Sequence, residues 1–383
     1  MAANEKAGGG SIDALQFWGE QSPPLLPEEI AKMRPALGTG ERPSELEALA
    51  NRQSVYVRSE YEPQPTVSRV EPEGDLWRVD IPLERAEAGA VYGQTGMVRK
   101  PEDFLTETDS RVDFRSSRPE WSDFLPEPRL VPQTETPLMR RLDPRGLVQP
   151  FQTTRFPPEE RQVYRDTAWP WGLVAKIFTN TRPWGAGSAA IVGRRLAVTA
   201  SHCVPRGSPW WIRLVPAHYD GSSLFGAGVQ SYVSDWRAFD TGGAVCGYDW
   251  AILRLYEPLG DPGWLGHFGF NGYDDDWEDG AYWMTAGYPD AINSQRPSRQ
   301  FWSTIFDDDS DSNGGLELET RADLSPGNSG GPMWGWWGND ARAIGVVSGE
   351  EYDWAIGGGE WGNVVAGGPG FTNLVAWGRT NWP

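Results

Sequence analysis

From about residue 170 onward the chain repeats one pattern: a short apolar run, then a cluster of Gly, Pro, Asp, Asn or Ser. Residues 173–179, 188–192, 196–199 and 211–215 are such runs, and 250–255, 282–286, 316–320 and 343–347 continue the series. Short runs at this spacing, bounded by turn residues, predict the strands of a β-sandwich or barrel. Helical periodicity is missing from this part except at the C-terminal end, so the expected class is all-β.

The first part of the chain is patterned differently. Of the 32 prolines, 19 lie at or before Pro158, whereas 18 of the 21 tryptophans lie after it. Proline removes backbone donors and tryptophan supplies large buried area, so the first part reads as extended and the second as packed. Within the first part, residues 26–50 predict one or two short helices, with Pro27 and Pro43 near their starts. Residues 101–158, rich in Pro, Glu, Asp, Arg and Ser, have linker composition and too few apolar residues to fold alone. The expected organisation is a largely extended or disordered extension over 1–155, in the manner of a removable pro-segment, followed by a packed domain over 156–383.

Charge and cysteine usage narrow the function classes. A net charge of −19 argues against a nucleic-acid or anionic-membrane partner, which such a surface would repel. Lysine is nearly absent (Lys6, Lys32, Lys100, Lys176), and arginine supplies the rest of the positive charge. No apolar run reaches the roughly 18 residues of a membrane span, and the first residues lack the charged-then-apolar order of a secretory leader. Secretion therefore requires a signal or route not visible in this chain. Two cysteines, Cys203 and Cys246, cannot build a disulfide framework, and three histidines without a Cys/His cluster argue against structural zinc. No metal and no cofactor are expected.

Candidate chemistry begins at Ser325-Pro326-Gly327-Asn328-Ser329-Gly330-Gly331-Pro332. A nucleophilic serine needs an exposed hydroxyl and backbone N–H groups aimed at a developing oxyanion, and flanking glycines allow both. A plain glycine-rich turn fits the segment equally well. The same residues satisfy the G-x-S-x-G elbow of α/β-hydrolases, but that fold places its histidine after the serine, and no histidine follows Ser329. An Asp-before-His order would need an α/β framework, so the order His, Asp, Ser remains. Among the histidines, His202 ends an apolar strand of small residues, whereas His218 and His267 lie in polar loops and read as surface residues. Asp249 opens the apolar run Trp250-Ala251-Ile252-Leu253, where an aspartate needs a partner. Taken singly, His202 could be a satisfied core histidine and Asp249 a turn residue.

Together the three segments resemble a known family. Thr199-Ala200-Ser201-His202-Cys203, Tyr248-Asp249-Trp250-Ala251 and Gly327-Asn328-Ser329-Gly330-Gly331-Pro332 are similar to the signature blocks of trypsin-like serine proteases, at intervals of 47 and 80 residues that suit that family. The branch most similar is the V8-like glutamyl endopeptidases, which Arg161 to Pro170, Gly187-Ser188-Ala189-Ala190-Ile191-Val192 and Thr285-Ala286-Gly287-Tyr288-Pro289 also resemble. The resemblance covers about residues 156–383.

It implies two antiparallel six-stranded β-barrels with a cleft between them, and a monomer acting on protein or peptide substrates. Ser329 would be the nucleophile, His202 the base and Asp249 its orienter, with the amides of Gly327 and Ser329 forming the oxyanion hole. Ser348 matches the strand that pairs with substrate backbone. Asp323, six residues before Ser329, matches the carboxylate that binds Arg or Lys in the specificity pocket, and Glu350 adds negative charge at its wall. Val347 stands where the V8-like branch has a histidine, which weakens the glutamyl reading and leaves cleavage after Arg or Lys as the expectation, with small neutral residues as runner-up. Asn328 replaces the aspartate that digestive members pair with a newly cut N-terminus, so that zymogen switch is in doubt, although residues 1–155 could still block the cleft. Because His202 and Asp249 would meet, Cys203 and Cys246 are expected to bridge, with two buried thiols as the alternative. Asp309-Ser310-Asp311-Ser312-Asn313-Gly314 matches half a calcium loop, but Thr320 at its twelfth position and the lack of flanking helices favour an acidic hairpin. A second reading is a domain that has lost catalysis and serves as a protein-binding scaffold; integrity of the triad discriminates the two.

Overall fold

The computed structural model describes residues 18–57, 69–73, 76–82, 112–132, 156, 158–182, 185–206, 210–242, 244–292, 295–353 and 360–383. All eight apolar runs lie in strands. Six strands close a barrel: Val174–Thr179 pairs with Gly187–Gly193, which pairs with Leu196–Thr199, then Ala251–Leu255, Ser231–Ala238 and Ile212–Pro216, which returns to Val174–Thr179. Every neighbouring pair in this barrel is antiparallel. The Val174–Thr179 and Gly187–Gly193 strands are buried at every position rather than at alternate ones. A strand covered on both faces reads as a continuous apolar run, which is why these segments lack a clean alternation.

Where the resemblance implies a second six-stranded barrel, the structure has a nine-stranded sheet. Its path runs Ile305–Ser310, Leu316–Thr320, Glu360–Gly367, Asp340–Asp353, Pro332–Trp337, Trp283–Gly287, Ser298–Ser303 and Gln162–Val163, with Gly269–Phe270 added parallel to Asp340–Asp353. The chain closes on the helix Gly368–Asn381, ten of whose residues are buried.

The extension is not wholly extended. Helices span Pro27–Ile30 and Ser44–Ala50, and Arg52–Val57, Arg69–Glu73 and Leu76–Pro82 form a three-stranded sheet. Trp18, Ile30, Leu46, Leu49 and Phe124 belong to the same buried cluster as the barrel strands. Linker composition misleads at 112–132 because the few apolar residues there are spent on tertiary contacts instead of a core of their own. Phe124 stacks on Trp169 at 5.9 Å and meets Trp336 edge-on at 5.6 Å, and its backbone exchanges hydrogen bonds with Ala36 at 2.7 and 3.1 Å. Arg379 clamps the same stretch: Nη1 donates to the carbonyls of Asp113 and Arg115, Nη2 to Phe268 at 2.7 Å, and Nε to Val192 at 2.8 Å.

This packing generates a test of the extension's role. Phe124→Ala removes a buried ring from between two tryptophans and should destabilise the protein by about 3 kcal/mol, read by urea denaturation followed through tryptophan fluorescence. An unchanged midpoint would mean that the extension is a loose cover.

Candidate active site

The centre of the site is a carboxylate with no exposure. Asp249 precedes the Ala251–Leu255 strand, whose pairing with Leu196–Thr199 sets Ala251 opposite Thr199. This register brings the turn after Thr199 alongside Asp249. Asp249 Oδ1 accepts the His202 amide at 3.0 Å, and Oδ2 lies 2.6 Å from His202 Nδ1. The Ser348 hydroxyl donates to Oδ2 at 2.7 Å, and the Ser201 amide donates to the Asp249 carbonyl at 3.2 Å. A fully buried carboxylate is costly unless its lone pairs are met, and here three donors meet it. Burial works against the His202 imidazolium, but the adjoining Cys203 sulfur and the Asp249 carboxylate outweigh it and hold the histidine above its usual range.

Ser329 reaches the same corner through its backbone. Its carbonyl accepts the Ser188 amide at 2.8 Å and lies 3.8 Å from the sulfur of Cys203, the residue next to His202. The preceding loop is tied at each carbonyl. Pro326 O accepts the Asp290 amide at 2.7 Å, Gly327 O accepts the Ser188 hydroxyl at 2.7 Å, and Asn328 O accepts the Gly331 amide at 2.7 Å. In a trans peptide the N–H points opposite the carbonyl. The bonds at Pro326 and Asn328 therefore aim the amides of Gly327 and Ser329 away from Asp290 and Gly331. Two glycines are obligatory here. Gly327, at φ +96°, would set a Cβ 2.4 Å from the Tyr288 carbonyl, and Gly330, at φ +79°, would set one 2.1 Å from the Thr199 hydroxyl.

The other residues singled out from the sequence each have defined surroundings. Asp323 is buried, and each of its oxygens holds a backbone amide: Phe156 at 2.6 Å and Glu160 at 2.7 Å. Burial pushes its pKa up, opposed by these two amides. Glu350 is half-buried on the Asp340–Asp353 strand. His218 is buried, not a surface residue; it packs edge-on to Phe178 and Tyr288, and burial with nearby Lys176 lowers its pKa to about 4. His267 Nδ1 donates to the Gly260 carbonyl, 2.8 Å away. Asp311 turns the acidic hairpin, accepting the Ser312 amide at 2.5 Å and the Gly247 amide at 3.0 Å.

The expected disulfide is absent: Cys203 and Cys246 are both free and both buried. The position facing the Cys203 sulfur is Gly187, where a built Cβ would lie 2.7 Å away, so the site across from Cys203 is filled by a glycine of the neighbouring strand. Cys246 has its own surroundings; burial, then Asp249, pushes its thiol up to about 12.

Sequence reasoning missed two residues that hold this corner. Ser188 binds the loop twice and also accepts the Tyr288 amide at 2.9 Å through its hydroxyl. Its only sequence signal was a polar residue inside a buried strand. Arg161 has a buried guanidinium that reaches Ser325 at 2.7 Å and Asn328 at 3.2 Å. Its signal was the run Glu159-Glu160-Arg161, where the acids could offset a buried cation.

The thiol assignment is directly testable. Alkylation in denaturant without reductant should modify two cysteines per chain by mass spectrometry, and prior reduction should add none. Zero modified cysteines before reduction and two after would restore the bridge.

No curated protein matches the chain. Among solved structures it is similar to the thermostable serine protease AL20 from an extremophilic microorganism, at 19% identity over 55% of this chain and 98% of that one, with a TM-score of 0.40. The protease Anisep of Arthrobacter nicotinovorans aligns at 18% identity over 56% and 98%, with a TM-score of 0.39. Human heparin binding protein aligns at 15% identity over 57% and 92%, with a TM-score of 0.42. A separate comparison concerns the stretch that carries His202, Asp249 and Ser329: residues 187–346 match the family model of the trypsin-like peptidase domain.

Proposed function

We propose that the protein is a serine endopeptidase in which Ser329 is the nucleophile, His202 the general base and then acid, and Asp249 the orienting carboxylate. One observation carries this reading: the 2.6 Å contact from His202 Nδ1 to the unexposed Asp249. It fixes the tautomer so that Nε2 is the nitrogen that takes a proton. The family match over 187–346 supports the reaction class.

In the proposed reaction Ser329 Oγ attacks the scissile carbonyl while His202 Nε2 takes its proton. The imidazolium that forms is stabilised by Asp249. The developing oxyanion is met by the amides of Gly327 and Ser329, held in place by the carbonyl ties of residues 326–328. His202 then protonates the leaving amine, and water, activated by the same nitrogen, hydrolyses the acyl-enzyme. A preference for Arg or Lys at P1 is supported by the charges of Asp323 and Glu350. With both Asp323 oxygens already holding amides, that residue acts on a P1 cation through its charge, and cleavage of a peptide library should lose its basic bias in Asp323→Asn.

A fluorophosphonate probe should label Ser329, and Ser329→Ala should abolish labelling. Asp249→Asn should slow it by about 10⁴-fold, because the wrong tautomer would face the serine. The pH dependence follows from the raised histidine pKa. Only neutral imidazole accepts the proton, so the labelling rate should rise with pH and inflect above the usual value of about 6.5. Labelling of the Ser329→Ala protein, or a rate that falls as pH rises through this range, would reject the assignment, whereas a wild-type protein that takes no label would favour the scaffold reading.

A further inference from the structure

We infer that Arg161 is a positioning residue for the loop 325–329, holding its amides in the reactive arrangement from within an uncut chain. The inference rests on the serine-peptidase reading above and extends it to a residue outside the matched stretch.

The argument starts from burial. The Arg161 side chain is 1% exposed, and a buried cation costs several kcal/mol unless it is paired and its donors are met. Glu159 meets two of them in a bidentate contact, at 2.6 Å to Nε and 2.9 Å to Nη2. The remaining nitrogen, Nη1, is the one that faces the loop, and it donates to both Ser325 Oγ and Asn328 Oδ1. Both acceptors are themselves buried.

Those two residues bracket the turn. Asn328 Oδ1 also accepts the Ser325 amide at 3.1 Å, and the Asn328 amide donates to the Ser325 carbonyl at 3.0 Å. Arg161 Nη1 thus closes a ring whose members are Ser325, Asn328 and the guanidinium. Gly327 lies inside this ring and Ser329 follows it, and these are the residues whose amides the mechanism needs. Residue 161 is itself fixed from both sides. The Glu160 amide is held by Asp323, and Gln162 pairs with Arg299 in the sheet. A planar, five-donor group suits this task, whereas an ammonium offers one point of charge.

The test uses the full-length chain and a fluorophosphonate probe, reading rate and end-point separately. Arg161→Met should lower the second-order labelling rate by about 10- to 100-fold, less than or comparable to loss of an oxyanion donor, while the end-point still reaches the wild-type level. The pH inflection set by His202 should not move, and Arg161→Lys should recover part of the rate. Asn328→Ala removes the acceptor instead of the donor, and combined with Arg161→Met it should cost little more than either change alone. If Arg161→Met does not fold, Asn328→Ala and Arg161→Lys carry the same test. A wild-type rate in these variants, or a reduced end-point with an unchanged rate, would overturn the inference while leaving the triad intact. Absence of labelling in the wild-type protein would instead remove the reading on which it rests.

Discussion

The structure is organised around one buried charge. Asp249 sits where water cannot reach it, and it is tolerable only because His202, the backbone of residue 202 and Ser348 converge on it. The partners come from the turn after Thr199 and from the strand Asp340–Asp353, so meeting this carboxylate is also what joins them. The strand ending at Thr199, the strand beginning at Ala251 and the long strand Asp340–Asp353 are brought to one point. Removing any donor would leave a buried acceptor unmet, a penalty larger than the value of a typical hydrogen bond.

Aromatic packing does the corresponding work between the sheets. Trp171 meets Tyr164, Phe301 and Trp334 at centroid distances of 5.6, 5.5 and 5.3 Å. Trp169 meets Phe124 and Trp336. These rings come from the extension, the segment leading into the barrel, and two strands of the large sheet. Large rings with fixed edges specify a relative placement that a set of aliphatic side chains would leave looser. The segment 329–331 is held between these parts, with Ser329 bonded to the barrel strand at Ser188 and Gly330 and Gly331 bonded to the sheet at Val347.

The sequence made the barrel and the chemistry legible for separable physical reasons. Eight strands announced themselves as apolar runs between turn residues. Pro332–Trp337 did not, because it opens on proline and carries a glycine, and Ile305–Ser310 did not, because its second half is acidic. His202 and Asp249 were identifiable because polar residues at the ends of apolar strands demand a reason. Arg161 and Ser188 were not, because their roles depend on three-dimensional neighbours more than a hundred residues away. Cys203 and Cys246 misled for the same reason: spacing brought their neighbours together, but the side-chain direction set Cys203 against Gly187. In the extension the helices after Pro27 and Pro43 were legible, whereas the packing of residues 112–132 was not, since low apolar content says that a segment cannot fold alone, not that it stays apart.

Trp18 donates to Asn373 at 3.3 Å across 355 residues of sequence, and Arg342 pairs with Glu20 across 322. Contacts this distant in the chain are expensive to close and come late in folding. On the ribosome, the segment around Trp18 emerges long before the helix Gly368–Asn381 against which it lies. Its tryptophan must therefore wait, exposed to solvent and to other chains, until the helix Gly368–Asn381 has been made. The contacts that join residues 18–20 to residues 342 and 373 are consequently among the last to form, and until then the apolar surface around Trp18 stays open to other chains.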